Sequence, residues 1–196
     1  MRRNLLITLI VLIGLTITMA ACDLLGTENI ETLRQKAAEA KGGSGIVFYY
    51  SATGFTMADT GEVCHYLEAA PYDAARGITW ASSGNYDTDI AGTGTAIGTG
   101  RKNTALILAT DANAPAAKAC REYRGGGKSD WFLPSKDELN LLYENRATVG
   151  NMKDYWYWSS SQGGNGVNHA WGQYFANGDQ SDDGKYASFV RAIRAF

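Results

Sequence analysis

The chain has 196 residues, with 18 Lys and Arg against 20 Asp and Glu and a formal net charge of −2. That balance carries no electrostatic footprint for nucleic acid, and a hydrophobic fraction of 45% sets the chain apart from disordered sequences. With 23 Gly, 5 Trp and 11 Tyr, the composition points to irregular loops pinned by large buried rings.

Arg2 and Arg3 precede an apolar run from Leu5 to Ile17, and Met19-Ala20-Ala21-Cys22 follows. A basic start, a short apolar core and small residues before a cut describe an export signal. The run is shorter than the roughly 20 apolar residues of a membrane span. The cysteine after Ala20-Ala21 resembles a bacterial lipoprotein signal, although Met19 stands where Leu is usual. This reading makes 1–21 the signal peptide and Cys22 the lipidated residue. It puts the protein in the bacterial cell envelope, with the membrane as a partner through the lipid anchor. Asp23 does not decide the leaflet, and the outer membrane or cell surface is favoured over the inner-membrane periplasmic face.

Residues 22–44 form a tether. Glu28 to Lys41 is rich in good helix formers with a thin apolar face, and Gly42-Gly43-Ser44-Gly45 ends it. The globular part, 45–196, opens on Ile46-Val47-Phe48-Tyr49-Tyr50, a strand by its β-branched and aromatic content, and Val63 to Glu68 reads as another. Residues 82–101 are a glycine-threonine loop. Asn103 to Ala109 and Ala114 to Tyr123 read as helices. Pro134-Ser135 opens the clearest helix, where Ser135 with Glu138 fits a capping box and Leu139, Leu142 and Tyr143 make the apolar stripe. Tyr155 to Ser160, His169 to Phe175 and Ala187 to Phe196 then read as strands. Helices in the middle with strands at both ends predict one α+β domain: two main helices on small antiparallel sheets, with the N- and C-terminal strands paired.

Several words occur in a fixed order: Gly45 to Tyr49, Tyr66 to Pro71, Ile97 to Gly100, Asn103-Thr104, Trp131-Phe132-Leu133-Pro134-Ser135, Tyr157 to Ser161, Ala170-Trp171 and Val190 to Arg194. Together they resemble the Lcl C-terminal domain family over roughly residues 42–196. The resemblance implies a C-type lectin-like fold and non-enzymatic recognition of a glycan or of host matrix. It also implies an alternative, a protein-binding module diversified by a retroelement; a structural envelope protein is a third reading. This chain lacks the collagen-like tract of the family's namesake, so only the domain transfers.

Read physically, Trp131, Trp158, Trp171 and Phe175 are expected in the core, with ligand stacking as the competing reading for Trp171 and Phe175. The three serines after Trp158 are expected to bond backbone at a strand end, and Arg191 and Arg194 to pair with Asp130 or with Asp182 and Asp183. The candidate ligand-binding residues are the polar ones between these words: Gln162, Asn165, Asn168, His169, Asn177, Asp179, Gln180, Asp182, Asp183 and Tyr186. Amides, carboxylates and an aromatic tip suit sugar hydroxyls or protein surfaces. Their competing reading is solvated hairpin loops.

Catalytic patterns are poorly matched. The repeats Gly92-Thr93-Gly94 and Gly98-Thr99-Gly100 have neither dinucleotide nor P-loop spacing. The only histidines, His65 and His169, have no evident nucleophile partner. A formylglycine-generating enzyme needs reactive cysteines late in the chain, and none follows Cys120. The expectation is therefore no enzyme and no cofactor. Asn177, Asp179, Ser181 and Asp183 alternate like a calcium loop, but they lack its Gly and closing Glu, so no metal is expected. With Cys22 lipidated, Cys64 and Cys120 are left over: in an oxidising compartment they pair as a disulfide, the favoured reading, or stay as two buried free thiols.

Overall fold

The computed structural model describes residues 30–40, 43–85, 88–163, 169–182 and 187–196. In chain order they form helix α1 (Ile30–Ala40), strands β1 (Ile46–Thr56), β2 (Val63–Ala69) and β3 (Ala75–Ile78), helices α2 (Gly100–Thr110) and α3 (Pro115–Glu122), and a 3-10 turn at Gly125–Gly127. Helices α4 (Lys136–Glu144) and α5 (Arg146–Val149) follow, then β4 (Trp156–Gln162), β5 (Ala170–Tyr174), β6 (Gln180–Ser181), β7 (Ser188–Val190) and β8 (Ile193–Ala195). The α+β reading is what the chain builds. Among the described residues, no helix is long and apolar enough to cross a membrane.

Two sheets organise these elements, one of order β1-β2-β8 and one of order β3-β7-β4-β5-β6. The first is antiparallel, with Ile46 opposite Ala69 and Leu67 opposite Ala195. The N- and C-terminal strands were expected to pair directly; instead β2 lies between them, one edge taken by β1 and the other by β8. In the second sheet only β4 and β7 run parallel. The single final strand expected over 187–196 is two, one in each sheet. The break falls at Arg191-Ala192, where Arg191 turns inward to a buried acid.

Adjacent extended residues point to opposite sides, and Trp131-Phe132 uses this to join two cores. Trp131 packs with Trp80, Ile107, Ala117, Trp158 and Val190. Phe132 packs with Phe48, Leu67, Leu139, Leu142, Tyr157 and Phe175. Trp131 also donates its indole N–H to the Gly125 carbonyl at 3.2 Å and meets the Tyr123 ring edge-on.

Burying the rings leaves polar groups that must find partners, and the loop between β3 and α2 supplies many. Ser161 Oγ donates to the Gly94 carbonyl at 2.7 Å and accepts from the Lys136 N–H at 2.9 Å. The Asn103 amide brackets Gly94 from both sides and reaches Ser160 Oγ at 3.2 Å. The expectation that these serines bond backbone is met by Ser161 and by Ser159, whose Oγ accepts the Ser161 N–H at 3.1 Å, whereas Ser160 Oγ meets a side chain. The capping box is also present: Glu138 N–H donates to Ser135 Oγ, and Ser135 N–H donates to Glu138 Oε2 at 2.8 Å. Gly98 adds a further N–H to Glu138 Oε1 at 2.8 Å. At φ +89°, with the Thr56 carbonyl against the place of a Cβ, position 98 admits only glycine without strain.

Two expectations change. Cys64 and Cys120 are free buried thiols in different cores, so no disulfide joins them. Burial pushes both thiols above their ordinary range, which makes them poor nucleophiles. Arg194 pairs with Asp130 as read, at 2.6 Å, and also with Glu68 at 2.7 Å. Arg191 instead pairs with Asp73 at 2.8 Å and not with Asp130 or Asp182.

Candidate ligand-binding rim

The outward stripe of α4 and the edge of the second sheet meet to form the rim. Ser135 caps α4, so Lys136, Asn140 and Glu144 recur at four-residue spacing along one side of it. On β5 the alternation turns Trp171, Gln173 and Phe175 toward that helix. Phe175 closes the core and Gln173 is fully buried, whereas Trp171, expected inside, is only half-buried at the strand's outer end. The Lys136 ammonium sits 3.6 Å from the centre of the Trp171 ring. Such a contact contributes about 0.5–1 kcal/mol where solvent reaches it.

Beside this pair runs a chain of amides. Gln173 Nε2 donates to Asn140 Oδ1 at 2.9 Å and to the Gly178 carbonyl at 3.1 Å. Gln173 Oε1 accepts from Gln180 Nε2 at 3.4 Å, and Asn140 Nδ2 donates to Glu144 Oε1 at 2.8 Å. The tip beyond β5 is an Asx turn: Asp179 N–H donates to Asn177 Oδ1 at 3.1 Å, and Asn177 Nδ2 donates to Asp179 Oδ2 at 2.7 Å. On the opposite face of the sheet, the Trp156 and Tyr174 rings meet at a tilt with centroids 5.5 Å apart, and both are half-buried.

The arrangement offers one cation on an indole, oriented amides, and two exposed polar side chains at a rigid turn. Among the described residues of the rim, none is hydrogen-bonded as nucleophile to base. The sequence model of the Lcl C-terminal domain matches residues 70–194. The chain belongs to this family. A search of curated proteins finds no match.

The Lcl C-terminal domain holds the sequence-expected site residues in three different ways. Asn177 and Asp179 are exposed as expected, and Gln180 and Asp182 are half-buried on the same rim. His169 joins them by a 2.9 Å contact from Nδ1 to the Asp182 carbonyl. Gln162 is a structural clamp rather than an open ligand group: its Oε1 accepts the Ile90 N–H at 2.7 Å and its Nε2 donates to the Thr88 carbonyl at 3.2 Å. Asn165, Asn168, Asp183 and Tyr186, like the lipidation position Cys22, lie outside the described residues. Sequence reading missed Lys136, Asn140 and Gln173. The four-residue spacing after the Ser135 cap was the available signal for the first two.

Proposed function

We propose that this Lcl C-terminal domain is a non-enzymatic, lectin-like binding domain held in the bacterial envelope by a lipid on Cys22, with a glycan as its ligand. The half-buried Trp171 under Lys136, bordered by the Asn140 and Gln180 amides that the buried Gln173 holds in place, carries the reading. A flat ring binds the apolar face of a sugar, amides bond its hydroxyls, and the ammonium favours an anionic substituent. Family membership and the rigid Asx turn support the same assignment.

A glycan array probed with the purified chain is expected to give hits that Trp171→Ala weakens by about tenfold. Lys136→Ala is expected to lose selectively the anionic members. An array without hits, beside a protein partner whose binding Trp171→Ala abolishes, assigns the rim to protein recognition instead. For the anchor, Cys22→Ser is expected to move the protein from the membrane to the soluble fraction and to abolish palmitate labelling. Unchanged fractionation and labelling would reject it.

A further inference from the structure

Helix α1 lies in the stretch that reads from sequence as a tether, yet it is bonded to the domain. Gln35 Nε2 donates to the Gly45 carbonyl at 3.2 Å, and Gln35 Oε1 accepts the Val47 N–H at 3.0 Å. One side chain thus covers the edge of β1 that has no strand neighbour. Glu39 steadies that amide by accepting from the same Nε2 at 2.9 Å. Ala38 is fully buried, and its carbonyl accepts the Gly43 N–H at 2.9 Å. The chain then enters the sheet on a carboxylate. Glu68, wholly buried on β2 and paired with Arg194, accepts the N–H groups of Ser44 at 2.8 Å and Gly45 at 3.0 Å.

Docking fixes how far the domain stands from an anchor at Cys22. Seven residues, 23–29, separate Cys22 from Ile30, and eight steps of extended chain span about 28 Å at most. With α1 undocked, the same leader would run on to Gly45, and its roughly 23 steps would reach about 80 Å at full stretch. As flexible chains the two lengths have root-mean-square spans of about 16 and 26 Å. The docked helix therefore takes about 10 Å from the average separation of anchor and domain, and about 50 Å from the maximum.

We propose that α1 is a strap folded back onto the domain, which holds the binding domain on a short leash at the membrane that carries the lipid on Cys22. The leash rests on the lipid-anchor reading given above. The strap itself rests on the bonds of Gln35, Ala38 and Glu68. Gln35 and Ala38 belong to neither hydrophobic core, so α1 can be released while both cores stay packed. Helix α1 and strand β1 also lie outside the matched residues 70–194, which makes the strap a property of this chain's N-terminal part and not of the matched domain.

The test reconstitutes the lipidated full chain in phosphatidylcholine vesicles, with a donor dye on Glu122→Cys at the exposed end of α3 and an acceptor dye on the lipid headgroups. Cys64 and Cys120 are buried and stay unlabelled. Gln35→Ala deletes both bonds to β1, and Ala38→Glu forces a carboxylate into a buried position and carries the test should Gln35→Ala leave α1 docked. Release is expected to raise the mean height of the domain by about 10 Å, read as a loss of energy transfer. On the soluble Cys22→Ser chain, the same two substitutions are expected to speed tryptic cleavage after Lys36 by about tenfold. Cleavage of the parent chain as fast as of both variants would overturn the strap. Palmitate on Cys22 with equal energy transfer in all three proteins would overturn the leash alone. Absence of palmitate would sink the anchor reading and the leash with it, while the cleavage comparison still decides whether α1 is docked.

Discussion

Asp73→Ala is expected to lower the melting temperature by about 10 °C. The Asp73 carboxylate is wholly shielded from solvent and accepts the Arg191 Nε–H at 3.0 Å and Nη2–H at 2.8 Å. It also accepts the Tyr157 hydroxyl at 3.1 Å and the Arg76 Nε–H at 3.1 Å. Arg191 in turn donates to the carbonyls of Ala70 at 2.8 Å and Asn151 at 2.9 Å. Removing the carboxylate strands a buried guanidinium whose charge no carbonyl neutralises, which costs about 3–5 kcal/mol. In a domain of this size each kcal/mol moves the midpoint by about 2–4 °C. Tyr157, whose phenol burial pushes up to about 12, simultaneously loses its acceptor. The double variant Asp73→Ala with Arg191→Met removes both charges and is expected to recover more than half the loss, because an apolar replacement no longer leaves a lone charge inside. Thermal denaturation of the three proteins decides it: a single variant within 2–3 °C of wild type (about 1 kcal/mol) would show that water reaches the site.

That ion pair marks where sequence reading stops. Asp73 and Arg191 lie 118 residues apart, and nothing local to either names the other. Arg194 was placed correctly on Asp130 only because that acid was already under consideration; its second partner, Glu68, is 126 residues away. Local rules did better. The Ser135–Glu138 box was legible because both partners lie within one helical turn. Alternation on β5 identified the face carrying Phe175, but it could not show that the same face runs out of cover at Trp171. Strand β3 escaped notice because Ala-Arg-Gly-Ile has no apolar alternation, and it exists by pairing with β7. Gln162 shows where side-chain chemistry stops informing: a primary amide looks the same in sequence whether it faces solvent or, as here, bonds the backbone of a loop. The two cysteines were matched by counting, and counting holds no information about which core receives each thiol.

Glu138 should make the domain lose stability as pH rises. Its carboxyl is completely buried at the first turn of α4, and burial pushes it up to about 7 from an ordinary 4.5. The main-chain N–H groups of Ser135, Gly98 and Gly100 pull the other way without cancelling the desolvation. The folded state therefore keeps a proton between about 4.5 and 7 that the unfolded chain has released. The stability this supplies is complete below the unfolded value and is lost as pH climbs through the folded one, a total of about 3 kcal/mol. Other groups titrate in the same window, so the decisive quantity is the difference between wild type and Glu138→Gln. The glutamine cannot ionise, and its single oxygen satisfies one N–H while its amide nitrogen faces another, a fixed cost of about 1 kcal/mol. Urea denaturation midpoints from pH 4.5 to 8 are expected to show wild type the more stable protein at the acid end. The gap should close and then reverse as Glu138 ionises against the Gly98 loop. Parallel curves across that range would mean that the backbone donors hold the carboxylate ionised throughout, and that the loop between β3 and α2 rests on a buried charge.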